Sequence, residues 1–260
     1  MNQKERIIWL IKYLLKEQKQ YKKLIIPSDE ESQNKLLRSL FNVRPPYPVS
    51  EEFLKIQDEY LTQFNKDRGI TDVATLKPTK ADERLYIWQG DITTLKCNAI
   101  VNAANSKMLG CFQPLHDCID NFIHTYAGVQ LRAKCHEIMQ KQGHEEATGQ
   151  AKITPAYNLP SKYVIHTVGP IIHQQVTEKD KELLKSSYHS CLEVAVANGV
   201  ESIAFCCIST GAFRFPKMLA AEIAVKTVRD FLKESTFIKQ VIFNVFKDED
   251  LNIYNKLLNI

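Results

Sequence analysis

A chain of 260 residues, 44% of them hydrophobic, is long enough to bury a sizeable core in one large or two small domains. Its formal net charge of +4 comes from lysines spread along the chain with no arginine-rich block, so nucleic-acid binding is not indicated and an anionic ligand is favoured only weakly. No apolar run reaches the roughly 18–20 residues that spanning a bilayer takes, and seven cysteines without a regular framework point to a reducing cytoplasm, where clustered Cys and His favour metal or catalysis over disulfides.

The first 80 residues show three helical patterns separated by proline-bearing breaks. In "IIWLIKYLL", Ile7, Ile8, Leu10, Ile11, Leu14 and Leu15 form one apolar stripe, which predicts an amphipathic helix. The run is short and broken by Lys12, and no small-residue cleavage site follows, so it reads as an amphipathic helix and not as a signal peptide. "PSDEESQNKLLRSLF" offers Ser28 as N-cap and Glu31 as its capping-box partner. "RPPYPVS" enforces extended chain, and Ser50 with Glu51 and Glu52 opens a third helix through Leu61 and Phe64. This segment, residues 1–80, carries no catalytic constellation. It is expected to cover part of the following domain, residues 81–260, with recognition of a protein partner as the alternative.

From about residue 84 the pattern turns to strand, helix, strand, helix. "RLYIWQG", "CNAIVNAAN", "YVIHTVG", "SIAFCCIS" and "QVIFNVF" have strand length and apolarity. "VQLRAKCHEIMQKQG", "KELLKSSYHSCLEVAVANG" and "KMLAAEIAVKTVRDFLKE" between them read as helices. Strands buried on both faces with intervening helices predict a three-layer α/β/α sandwich, whose ligands bind at the carboxyl ends of the strands. Three such ends carry unusual sequence: "VNAANSK", "HTVGP" and "ISTGAFRFP".

After the first strand comes "GDITTL", whose Asp91 either accepts from a ligand amine or caps the short helix that follows. In "NAAN", two alanines allow close backbone approach and Asn105 can both donate and accept, as a sugar diol requires; a turn role is the plain alternative. "ISTGAFRFP" is a small-residue loop entering a helix, with N–H groups suited to a diphosphate. Arg214 is either a phosphate ligand or a solvated side chain. Cys97, Cys206 and Cys207 read as core, His166 as a loop-orienting group, and His144, His173 and His189 as surface residues.

Taken together, Gly-Asp-Ile-Thr, Asn-Ala-Ala-Asn, "HTVGP" and "STGxFxFP" resemble, in order and spacing, the macrodomain, an ADP-ribose-binding fold, over about residues 84–260. The resemblance implies an α/β macrodomain with a mixed central sheet, here with an N-terminal helical extension. It implies that Asp91 and Ile92 contact adenine, that Asn105 holds the distal ribose, and that Ser209, Thr210, Gly211, Ala212 and Phe213 wrap the diphosphate and that ribose. Phe246, in "NVFKDED", matches an aromatic that stacks on adenine.

The stretch "GCFQPLHDCIDNFIH" departs from the ordinary macrodomain, which has a glycine run followed by "VDGAIH". "IDNFIH" aligns Asp120 with the family's catalytic aspartate and His124 with a structural histidine. "GCFQPLHDC" instead resembles the zinc-dependent macrodomains, microbial ADP-ribosylhydrolases, and implies Cys111, His116 and Cys118 as ligands of one zinc per chain. The chemistry agrees, because thiolates and imidazole are favoured zinc ligands and a catalytic site keeps three protein ligands and an open position. Cys-x4-His-x-Cys, bent at Pro114, lets one loop supply all three. Two buried cysteines and a surface histidine would be the unremarkable alternative.

The expected activity is removal of mono-ADP-ribose from a protein side chain, an ester on an acidic residue, with Asn105 and Asp120 as the catalytic pair. The resemblance further implies a functional link to a sirtuin-type ADP-ribosyltransferase and a lipoylated target similar to the glycine-cleavage H protein. Two alternatives stand: a non-catalytic ADP-ribose reader whose zinc staples the loop, and a hydrolase of O-acetyl-ADP-ribose or ADP-ribose 1″-phosphate.

Overall fold

The structure, a computed structural model, describes residues 1–21 and 23–258, so the last two positions of the expected 81–260 unit lie outside the described residues. Three helices come first: α1 (Gln3–Glu17), α2 (Glu30–Val43) and α3 (Glu51–Asp67). Their apolar faces meet in a cluster of their own, with Leu10, Ile11 and Phe53 fully buried and Tyr13 tilted against Phe53 at 4.7 Å. Ser50 caps α3 as expected, accepting from the Phe53 N–H at 3.2 Å. The cap of α2 differs. Asp29, not Ser28, accepts the Ser32 N–H at 2.8 Å, and Glu31 turns instead to Lys35 at 2.6 Å. A carboxylate one residue later is the stronger partner for the positive end of the helix.

The break between α2 and α3 is fixed by Arg44, which is buried. Its guanidinium meets both oxygens of Glu17 at 2.7 and 2.8 Å and also the carbonyls of Pro45, Tyr47 and Pro48. A buried charge is tolerable only when paired and fully hydrogen-bonded in this way.

The remaining chain builds the α/β layers. Its elements are β1 (Thr71–Asp72), β2 (Leu85–Gln89), β3 (Leu95–Lys96), β4 (Ala99–Ala103), α4 (Ile119–Ala127), α5 (Val129–Gln142), β5 (Ala151–Pro155), β6 (Tyr163–Thr167), α6 (Glu178–Ala197), β7 (Ser202–Phe205), α7 (Lys217–Glu234), β8 (Gln240–Val245) and α8 (Asp248–Leu257). The main sheet runs β2-β8-β7-β4-β6-β5. All neighbours are parallel except β5, which pairs antiparallel with β6, so the sheet is mixed. The five sequence-derived strands are β2, β4, β6, β7 and β8. β5 escaped because an edge strand ending in proline, with only Thr154 buried, lacks a long apolar run.

Parallel pairing has one consequence for the site. The carboxyl ends of β2, β8, β7, β4 and β6 all lie on one edge of the sheet, which brings residues 90–92, 102–105, 167–169, 206–213 and 246 together.

The helical layer packs on α4 and α5. Asn65 donates to the carbonyls of Tyr126 and Asn158 at 3.1 and 2.8 Å, and the Val129 N–H donates to Gln57 at 2.9 Å. Gly128, at φ +97°, is required here, since a Cβ would come within 2.7 Å of the Gln57 side chain.

Candidate active site

At the β2 end, Asp91 caps the turn over Ile92–Thr94, accepting from the Thr93 N–H at 2.9 Å and the Thr93 hydroxyl at 2.6 Å. Its other oxygen ion-pairs with Arg68, which belongs to the helical layer. The capping role and availability to a ligand coexist, because the carboxylate stays about a third exposed. The Ile92 side chain is core, so any ligand contact it makes is through its main chain. Phe246 follows β8 and is 72% exposed, as a ring free to stack must be. The Gly90 N–H donates to Val245 at 3.0 Å and holds the two strand ends together.

After β7, Ser209 takes φ +66° and Arg214 φ +60°, which curls the loop between them. The Phe215 N–H closes it on the Ser209 carbonyl at 3.0 Å, and Ile172 N–H donates to the Phe213 carbonyl at 2.9 Å. Within that curl the N–H groups of Gly211, Ala212 and Phe213 have no acceptor among the described residues. Consecutive unpaired N–H groups make an anion-binding concavity. The Ser209 hydroxyl is buried beneath, also without a partner among them, and packs on Gly169 so closely that a Cβ there would stand 2.1 Å from it. The Arg214 side chain is exposed.

At the β4 end, Asp120 opens the first turn of α4. Its carboxylate accepts from Asn102 at 2.8 Å, and Asn105 lies 3.4 Å from its other oxygen. Burial pushes the Asp120 carboxyl up to about 6, against the hydrogen bonds from the two asparagines and the charge of Arg132. Asn102 also donates to His166 Nδ1 at 3.1 Å. That fixes the proton on Nε2, which reaches Thr154 at 3.0 Å. Burial holds the His166 imidazole down at about 3, so it is neutral and serves to aim Asn102.

Asn105 joins this acidic corner to the loop that follows, donating to the Gly110 carbonyl at 3.1 Å. In that loop Cys111, His116 and Cys118 each place a ligand atom within 4.8 Å of the others, and Cys111 Sγ is 3.5 Å from His116 Nδ1. Tetrahedral zinc, with bonds of about 2.3 Å to sulfur and 2.0 Å to nitrogen, separates its ligands by roughly 3.5–3.8 Å, so donor set and spacing both fit. All three side chains are partly exposed, which leaves an open side. Burial pushes the Cys118 thiol up to about 12, so a cation bound there displaces a proton.

A second trio, His124, Cys135 and His166, also lies within 4.8 Å, but all three are buried and His166 Nε2 is hydrogen-bonded to Thr154. His124 packs under Gly110, where a Cβ would come within 2.8 Å of the ring. Its role is to support the loop. Cys97 and Cys206 are buried and Cys207 is half-buried, while His144, His173 and His189 are exposed.

Asp91, Asn105, Asp120, the 209–213 loop, Phe246 and the Cys-His-Cys group thus share one edge of the molecule. Sequence reasoning did not single out Arg38, Asn42, Arg68 and Arg132, which reach this edge from other elements. Arg38 contacts His116 across 78 positions and Asn42 contacts Leu115 across 73, separations that no local motif encodes.

A family model described as Macro domain matches residues 101–224. A protein from Treponema medium named "Protein-ADP-ribose hydrolase" is 60% identical over 261 residues, covering 100% of both chains. One of the same name from Staphylococcus aureus is 51% identical over 257 residues, 98% of this chain and 96% of its own. Among solved structures, a Trypanosoma brucei macrodomain in complex with ADP-ribose is similar with TM-score 0.66 and 28% identity, over 85% of this chain and 94% of its own.

Proposed function

The chain belongs to the macrodomain family and to its protein-ADP-ribose hydrolases, and from that premise we propose that it removes mono-ADP-ribose from modified protein side chains with the help of zinc. The observation that carries this reading is the position of Asn105. Its amide lies between the Asp120 carboxylate and the Gly110 carbonyl, at the start of the Cys-His-Cys loop. A ribose held by Asn105 therefore sits beside both the acidic group and the metal ligands.

In this reading Asp91, the main chain at Ile92 and the Phe246 ring receive the adenine. The free N–H groups of Gly211, Ala212 and Phe213 donate to the diphosphate, with Ser209 and Thr210 shaping the curl. Asn105 fixes the distal ribose, which supplies the positioning part of catalysis. Asp120 orients the attacking water or accepts its proton, and Asn102 keeps that carboxylate aimed. Cys111, His116 and Cys118 would hold the zinc, which supplies either a water of lowered pKa or Lewis-acid polarisation of the ester or ribose oxygen. Attack at the anomeric carbon or at the acyl carbon yields the same products, free ADP-ribose and the restored carboxylate.

An acidic modified residue, a lipoylated carrier similar to the glycine-cleavage H protein as target, and a sirtuin-type transferase as the opposing activity complete the proposal. So does a division into a helical unit, 1–80, and a macrodomain, 81–260. The test is zinc content of freshly purified protein, with turnover of a mono-ADP-ribosylated protein measured beside turnover of O-acetyl-ADP-ribose. We expect zinc and a preference for the modified protein. Binding of ADP-ribose without turnover of either substrate would make the chain a reader.

A further inference from the structure

The loop that carries the three metal ligands adopts a backbone its own residues disfavour. Met108 and Leu115 take φ +60° and +55°, a region bulky side chains avoid, and Leu115 immediately precedes His116. Such a conformation persists only when the surroundings impose it, and here the surroundings include helix α2. Asn42 accepts the Leu115 N–H at 3.0 Å, the bond that pins the unfavourable residue. Arg38, one turn earlier on the same helix, donates to the His116 carbonyl at 2.8 Å. Through the same guanidinium it grips Asn121 in the first turn of α4 at 3.0–3.1 Å, and Asn121 in turn donates to the Gln113 carbonyl. The guanidinium lies 4.2 Å over the Phe122 ring, which sets its plane.

We propose that Arg38 and Asn42 are positioning residues for the metal loop: the N-terminal helical layer presets the main chain at 115–116 so that the His116 ring meets Cys111 and Cys118. This rests on the zinc reading given above, and it assigns to α2 a task in metal binding. The two side chains do not touch the metal ligands' donor atoms. They act on main chain and on α4, as groups that orient ligands from behind do.

The experiment compares full-length wild type with Arg38→Ala, Arg38→Lys, Asn42→Ala and, as control, Arg6→Ala, which removes contacts to Glu59 and Gln3 elsewhere in the helical layer. Three quantities are read: zinc affinity by chelator competition, amide hydrogen exchange over residues 113–117 in metal-free protein, and ADP-ribose affinity, which also reports correct folding. Loss of an orienting group typically lowers metal affinity about 10–100-fold. That loss, with faster exchange and unchanged ADP-ribose binding, is expected for Arg38→Ala and Asn42→Ala. Arg38→Lys keeps the charge but not the fork, so it falls between. Arg6→Ala matches wild type. Wild-type zinc affinity in folded Arg38→Ala and Asn42→Ala overturns the proposal, whether or not exchange changes. A wild-type protein that takes up no zinc refutes the metal reading itself, and that result is seen before any variant is made.

Discussion

Arg68, the residue that ends α3, ion-pairs with Asp91 while its guanidinium lies 3.8 Å over the ring of Tyr126 in α4. The helical layer thereby touches the Asp91 end of the candidate site as well as the Cys-His-Cys loop. In the proposed site Asp91 accepts from the adenine amine, so Asp91→Ala is expected to weaken ADP-ribose binding by about 1.5–3 kcal/mol, the range for a hydrogen bond to a charged group. Arg68→Ala leaves the carboxylate in place, still held by Thr93, and should weaken binding less. Titration calorimetry on the two variants decides it, and wild-type affinity in Asp91→Ala would remove the residue from the site.

Metal and nucleotide should be separable. Cys118→Ala removes one of three donors and is expected to lose the zinc, about one equivalent per chain, while keeping a cooperative melt, because the core of the α/β layers does not pass through this loop. Chelated wild type should likewise stop turning over while ADP-ribose binding is largely kept. Loss of binding and turnover together on chelation would instead favour a reader with a structural zinc.

Acid should destabilise the metal-free protein through its buried imidazoles. His166 is held down at about 3 by burial, against an ordinary value of 6.5. Between those values the unfolded chain binds a proton that the folded one refuses, so stability is full above pH 6.5 and falls as pH drops toward 3. Inside that window the slope is about 1.4 kcal/mol per pH unit for one group. His124 is depressed in the same direction by its burial and adds to the trend. Replacing His166 with Gln should flatten the pH dependence of urea unfolding by about one proton. An unchanged slope would mean that the imidazole titrates freely.

The helical layer should be a stability element too. Phe53 is fully buried among α1, α2 and α3, and truncation of such a ring costs about 3–5 kcal/mol. Phe53→Ala is expected to lower the melting temperature, and deletion of residues 1–80, which takes β1 and the core residue Val73 along with the helices, to reduce solubility by uncovering the faces of α4 and α5. Soluble truncated protein should bind ADP-ribose more weakly than full length, since Arg68 is lost with the segment. A truncated chain as stable as full length, and slow only on its protein substrate, would make the layer a device for partner recognition.

What the sequence alone determined was everything carried by local pattern. Apolar runs of strand length foretold β2, β4, β6, β7 and β8, because doubly buried parallel strands need them. The seven-residue separation of Cys111 and Cys118 put three zinc-type donors on one short loop, while their convergence within 4.8 Å also involves contacts from α2 that the local pattern does not contain. Asp91, Asn105 and the 209–213 loop each had a plain alternative as cap, turn or loop, and were singled out because their motifs together, in order and spacing, resemble the macrodomain. Only the tertiary structure decided what holds these groups. Competition between neighbouring caps moved the start of α2 from Ser28 to Asp29. The pairing of Asn102 with His166, and of Arg38 and Asn42 with the metal loop, joins residues far apart in the chain. Such hydrogen bonds depend on which helix faces which strand end. That is settled by packing of the two apolar clusters, a property of the whole chain that no short stretch of it contains.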